Sequence, residues 1–212
     1  MDQKDPKNAD CVDNTHVVKL CDLAKYYRDE FIPAYADVVV YLSAKPDETL
    51  LEIENILSHV FQVLNPELSD KRKTENIEKA KGHLERATLD CLKIIWGSIG
   101  ELIADINDDG DRKRYCVNLS ESDFNRKVTE YNGLLAEARL IEMNSVGKTH
   151  DDTIKAYKRA IQLAKELVVA MDEAKMDSFA SFRRIINIKS NTLSFVLGVL
   201  ASLVATYLWA RL

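Results

Sequence analysis

The stretch that most constrains this chain is the run from Thr192 to Ala210, which contains no charged residue. As a helix rising about 1.5 Å per residue it would be roughly 28 Å long, close to the ~30 Å hydrocarbon core of a bilayer. Its aliphatic and aromatic side chains favour insertion by about 3–5 kcal/mol, against the cost of its Ser, Thr and Gly residues. The run predicts one membrane-spanning helix within residues 190–212. A buried core helix is the alternative, but such a helix normally keeps a polar face.

Charged residues on the two sides of this run predict its orientation. Arg183, Arg184 and Lys189 precede it as candidate membrane-interface cations, whereas Arg211 alone follows it. Short segments rich in Lys and Arg stay on the cytoplasmic side of a membrane. We therefore expect a single-pass, tail-anchored protein with a cytoplasmic N-terminal body, and the bacterial inner membrane is the expected location.

The remaining composition limits what the body can do. The whole chain has 29 Lys and Arg residues against 34 Asp and Glu residues, which gives a net charge of -5. This balance argues against general nucleic-acid binding, because neutralising phosphates requires a basic surface. The four cysteines include no CxxC pair, so no zinc site or disulfide framework is indicated. The polar residues 1–13 lack the apolar core of a signal peptide and are expected to be disordered.

The rest of the chain predicts helices throughout. The whole chain has only seven Gly and four Pro residues, and its apolar residues recur at intervals of three and four. The expected fold class is all-α: a cytoplasmic helical bundle with a long C-terminal helix that continues as a single transmembrane helix. We expect the bundle over residues 14–147, a stalk helix over residues 148–189 and the transmembrane helix over residues 190–212.

Local signals place the helices inside the bundle. The first begins near Asn14 and must kink or break at Pro33, which has no backbone donor. The second covers Asp47–Leu64, and the third, from about Thr74 to Ile106, is the expected spine. Ser120 and Thr149, each followed three residues later by Asp, form capping-box patterns before two further helices.

The stalk is predicted from the absence of helix breakers. From Lys148 to Leu197 neither Gly nor Pro occurs, so one helix is expected to run unbroken into the membrane. Its apolar residues fit a heptad, which is typical of a helix that packs against a partner helix. The heptad residues are Ile154, Tyr157, Ile161, Ala164, Val168 and Met171.

The stretch DINDDGDRKRYC, Asp105–Cys116, is the nearest approach to a metal motif. Asp105, Asn107, Asp109 and Gly110 match positions 1, 3, 5 and 6 of an EF-hand loop, which supply oxygen ligands and the Gly of a sharp turn. The twelfth position, which must supply a bidentate Glu, is Cys116, and three cations lie within the loop. The pattern therefore favours an acidic, solvated loop, and we expect no metal and no cofactor.

One polar group could carry catalysis. His83, Arg86 and Asp90 share one flank of the third helix, and a His beside a carboxylate can serve as a general base. No nucleophile accompanies them at a diagnostic spacing, so a bridge between packed helices is the simpler interpretation. We expect no enzyme activity.

Two basic clusters could receive the phosphates of a nucleotide or oligonucleotide signal, although each is also typical of a solvated loop. Neither lies in a Gly-rich loop that would cradle phosphates. The clusters are Lys71, Arg72 and Lys73, and Arg112, Lys113 and Arg114.

A row of small residues marks the predicted span: Ser190, Ser194, Gly198, Ser202 and Thr206. They recur at every fourth position, which allows helices to approach closely in lipid. In a homo-oligomer the row could line a narrow polar path, with the cations before the span as a ring at its mouth. Simple dimerisation, or an anchor in which the row has no role, is the alternative.

The order of these parts resembles the small helical effectors with a single membrane span in bacterial antiviral defence, such as the channel effector of Hailong systems. The resemblance covers the order of parts without a shared motif, so it assigns no residue. It implies an oligomeric membrane effector that forms or gates an ion-conducting pore through one helix per subunit, controlled by its cytoplasmic domain. Its partners would be membrane lipid, copies of itself, and a nucleotide signal or a regulatory protein. The alternative is a tail-anchored helical adaptor that binds a cytoplasmic protein.

Overall fold

A computed structural model describes residues 14–145 and 150–185, together with Leu197. These residues form helices and their connections, which confirms the all-α class. Among them, no helix is both long enough and apolar enough to cross a bilayer. The predicted disordered segment 1–13 and, apart from Leu197, the predicted span 190–212 lie outside the described residues.

The longest helix, α4 (Asp70–Asp108), is the spine of the body. Its 39 residues make it about 58 Å long. Leu84, Cys91 and Ile95 lie on its buried stripe and are fully inaccessible to solvent. The helix starts four residues before the expected Thr74, because Ser69 is extended and the chain turns helical directly after it.

The N-terminal rod, formed by the first two helices, contains a π-helical turn just before Pro33, where the sequence predicts a kink or a break. α1 (Asn14–Tyr26) continues through a π-helical turn (Tyr27–Phe31) into α2 (Ile32–Leu42). Pro33 lies in the first turn of α2, where its missing N–H leaves a carbonyl of the preceding turn without its usual donor. The wider turn accommodates this, since the N–H of Ile32 bonds to the carbonyl five residues earlier.

α3 (Asp47–Val63) runs antiparallel to α4 and confirms the predicted second helix. Near its start the Thr49 hydroxyl lies 3.7 Å from the Cys91 sulfur, and near its end His59 Nδ1 lies 2.9 Å from Asn76 Oδ1. α1 also packs on α4, but α1 and α3 make few close backbone approaches to each other. An open channel therefore separates them.

The C-terminal half covers other parts of α4. α5 (Gly110–Cys116) is followed by α6 (Glu121–Asn144) and α7 (Asp151–Val169), which pack together as an antiparallel pair. The Ser120 hydroxyl accepts a hydrogen bond from the Asp123 N–H at 3.1 Å, so the first predicted capping box is confirmed. The second begins at Thr149, outside the described residues.

The expected unbroken helix from Lys148 is wrong, because α7 ends at Val169 and a separate helix, α8, spans 173–185. Between them Met171 forms an antiparallel bridge with Val117, and Asp172 caps α8 by accepting the N–H of Lys175 at 3.0 Å. The heptad residues of α7 do not face another chain in this arrangement. Five are buried in the body and Val168 is partly buried against the same core.

Candidate functional site

Among the described residues, an open apolar groove lies between α1 and α3, with α4 as its floor. Its cavity volume is about 490 Å³. We call it the α1–α3 groove. It is lined by Leu20, Leu23, Ala24, Tyr27, Ile53, Ile56, Leu57, Val60 and Leu84.

The rim of this groove is apolar as well. Leu50, Leu57, Phe61 and Leu64 are exposed on α3 or directly after it, and Phe61 is 65% exposed. Their spacing places them on the side of α3 that turns away from α4 towards the groove. Large aliphatic side chains gathered at a surface are typical of a place where another molecule binds.

On the other flank of α3 lies a polar network that explains the His83 group. His83 Nδ1 is 2.5 Å from Glu52 Oε2, and Arg86 Nε is 3.7 Å from the other oxygen of Glu52. The rings of His59 and His83 stack at 5.2 Å between centroids. His83 is thus paired with α3 and not with Asp90, so the group is the predicted bridge between packed helices.

A second pocket of about 310 Å³ lies where α4, α6 and α7 meet. Glu142 forms an ion pair with Lys93 and accepts a hydrogen bond from the Tyr157 hydroxyl at 2.7 Å. Arg139 lies 4.5 Å from the ring centroid of Trp96. Burial, followed by the bond to Glu142, raises the pKa of Tyr157 to about 12, so the phenol stays protonated and donates.

The Glu142 network predicts a loss of stability in acid. Burial alone would raise the pKa of Glu142, but bonds from Lys93 and Tyr157 lower it below its ordinary value of 4.5. The folded state therefore binds the proton less tightly than the unfolded state, so the network stabilises the fold above that value. This stabilisation is lost as the pH falls through the folded pKa. Thermal unfolding from about pH 7 to about pH 3 should show Glu142→Gln losing less stability than the parent. Equal losses would contradict this assignment.

The two predicted basic clusters lie at opposite ends of α4 and do not form one site. Lys71, Arg72 and Lys73 occupy its first turn, whereas Arg112, Lys113 and Arg114 are in α5. The second cluster is largely occupied by groups of this chain. Arg112 pairs with Asp105, Arg114 Nε lies 3.4 Å from Glu121, and Lys113 Nζ donates to Asn125 at 3.0 Å.

The EF-hand-like stretch is divided between two helices. The Asp109 side chain caps α5 by accepting the N–H groups of Asp111 and Arg112, each at 3.1 Å. Its other oxygen lies 3.3 Å from Arg183, one of the predicted interface cations. The expected solvated loop is thus a helix cap, and two of its carboxylates, Asp105 and Asp109, contact cations of this chain.

Of the other predicted membrane residues, Arg184 is exposed near the end of α8. Lys189 and the row Ser190, Ser194, Gly198, Ser202 and Thr206 lie outside the described residues. Their assignment stays a prediction.

Sequence reasoning missed the α1–α3 groove, although α3 carries a signal of it. The helix has apolar residues on two adjoining flanks, and a single buried stripe needs only one. Ile56 and Val63 form the buried stripe, whereas Leu57 and Phe61 are apolar residues that lie outside it and are exposed. Such a surplus indicates a second contact surface.

Comparison of the chain with protein-family models, curated proteins and solved structures finds no significant match. The resemblance to single-span defence effectors therefore stays a prediction based on the order of parts.

Proposed function

We propose that the protein is a membrane-tethered helical adaptor. Residues 190–212 hold it at a membrane, and its body binds a protein partner at the α1–α3 groove. The observation that carries this proposal is the groove with its apolar rim, because a folded domain gains nothing for its own stability from aliphatic side chains left in water.

The shape of the groove favours a helix as the ligand. Two helices form its walls and a third forms its floor, so an added helix would complete a local bundle of four. Amphipathic helices bind such grooves through aliphatic side chains spaced at three and four residues. The partner is therefore expected to present an uncharged helical face.

An oligomeric pore is the second candidate. The row Ser190–Thr206 favours it, because close-packed small residues suit helices that meet in lipid. The heptad of α7 no longer supports an oligomer, since its residues are buried within one chain. The ion pair between Arg183 and Asp109 also competes with a role for Arg183 in a cationic ring.

One set of variants separates the two candidates. Phe61→Glu changes the exposed rim, and Leu140→Glu on α6 is a control of similar exposure, at 65% and 61%. We expect proximity labelling in cells to lose its main partner with Phe61→Glu alone, while both variants remain in the membrane fraction. A partner set that both variants leave unchanged would count against the adaptor.

A pore, in contrast, depends on the small residues of the predicted span and not on the groove. Replacing Ser194, Ser202 and Thr206 with Leu makes the span more apolar, so insertion should persist. An adaptor retains its partner and releases no dye from loaded vesicles, before or after this change. If the parent releases dye and the triple variant does not, the pore is established and the adaptor is rejected.

A further inference from the structure

We propose that the α1–α3 groove also binds this chain's own C-terminal segment, residues 193–207, before that segment enters a membrane. This inference rests on the proposed function, because it assigns the membrane tether a second position on the body. An apolar segment without a membrane must be covered in water, and the groove offers an apolar surface on the same chain.

The segment has the pattern of a groove-binding helix. Leu193, Val196, Leu200, Leu203 and Tyr207 follow one another at intervals of three, four, three and four. As a helix they form one apolar face. The predicted row of small residues falls on the opposite side, so its hydroxyl groups would face water when the apolar face is docked. This arrangement uses both faces of the segment.

The charges of the two surfaces also match. The lining of the groove is entirely apolar or aromatic, and its rim on α3 adds further aliphatic and aromatic side chains. Residues 193–207 carry no charge, so no ionised group would be buried by docking. A highly charged amphipathic helix would gain no ion pair from this lining.

The extended connection lets the C-terminal half of the segment reach the floor of the groove. α8 passes Asp109 near its end, since Arg183 contacts that residue at 3.3 Å. Leu84, on the groove floor, lies 25 residues earlier along the chain than Asp109, a distance of about 38 Å along a helix axis. The seven residues 186–192 can span about 25 Å when extended, and a helix over 193–207 adds about 21 Å. A short tether also gives the segment a high effective concentration at the groove.

The groove is open, and Leu197, the described residue of the segment, is 57% exposed. Docking and membrane insertion use the same apolar face, so they exclude each other. A change in the groove that weakens docking must therefore favour the membrane.

The experiment uses the full chain and three variants in detergent-free buffer. Leu57→Glu puts a charge into the groove wall, and Leu140→Glu makes the same change at an exposed site on α6. Leu200→Glu changes the segment and leaves the body untouched. Cys21 reports docking, because this exposed thiol is one helical turn from Ala24 on the groove wall. Its alkylation is followed by peptide mass spectrometry.

We expect Leu57→Glu and Leu200→Glu each to speed the alkylation of Cys21 about tenfold, as one lost aliphatic contact implies. Leu140→Glu should match the parent. Binding to phosphatidylcholine vesicles that contain some phosphatidylglycerol should rise with Leu57→Glu and fall with Leu200→Glu. If Leu57→Glu fails to fold by circular dichroism, Leu200→Glu provides the test alone.

Equal Cys21 alkylation in the parent, Leu57→Glu and Leu200→Glu would overturn the proposal. So would an alkylation rate in the parent that rises on dilution, since shielding would then come from a second copy. Failure of the proposed membrane tether has a different signature. In that case neither the parent nor Leu57→Glu binds vesicles, while the difference in Cys21 alkylation persists.

Discussion

Replacing Phe31 with Ala is expected to lower the free energy of unfolding by about 3–5 kcal/mol. The ring is 1% exposed and lies between Tyr27 and Tyr35, with ring centroids 5.4 and 5.5 Å away. It is the last residue of the π-helical turn, so its loss would leave a cavity beside the most irregular backbone of the N-terminal rod. The surrounding turn is constrained by Pro33 and has little freedom to collapse into the space.

Urea denaturation of the purified full chain measures this loss. Phe31→Leu is the matched control, because it keeps an apolar side chain of similar volume and should cost less than about 1.5 kcal/mol. If Ala and Leu at this position cost the same, the ring is not packed as the structure shows.

The second large effect is expected at Leu84, where Ala should cost about 2–5 kcal/mol. This side chain is fully buried and forms the floor of the α1–α3 groove, against which both walls pack. Removing it takes support from α1 and α3 together. Leu140→Ala, the same change at a 61% exposed site on α6, should cost under about 1 kcal/mol.

Chemical denaturation with two probes decides the matter. Tryptophan fluorescence, measured with Trp209 replaced by Phe in every variant, reports Trp96 in the α4 spine, and far-ultraviolet circular dichroism reports the helices. A loss of stability at Leu84 no larger than that at Leu140 would mean that α1 and α3 do not share this floor in solution.

Much of the helical layout could be predicted because its signals are local. The spacing of apolar residues and the prolines at its ends placed α3 within one residue, and the Ser120 cap placed the start of α6. The start of α4 was missed because Lys71, Arg72 and Lys73 were interpreted by their charge, although Lys and Arg are good helix formers.

The partner of each apolar face could not be predicted in the same way. A heptad has the same spacing whether its partner belongs to the same chain or to another, so α7 was interpreted as a surface for oligomers. Tyr157 and Ala164 are instead buried in the body. The candidate site was missed for the same reason. The surplus apolar residues of α3 become a groove only because α1 lies on α4 at a distance from α3.

The bridge between Val117 and Met171 is one of the contacts through which a mechanical load on the proposed tether would reach the body. Two backbone hydrogen bonds form it: Asn118 N–H to the Ala170 carbonyl at 2.8 Å, and Asp172 N–H to the Cys116 carbonyl at 2.7 Å. A lateral pull on the end of α8, as the proposed tether would transmit, would first load the Arg183–Asp109 ion pair and the stack of Phe182 on Tyr115, and then these bonds. Exposed ion pairs and two backbone bonds are weak joints beside a helical core. They would therefore yield before the core around α4, so that α8 swings away while the bundle keeps its shape.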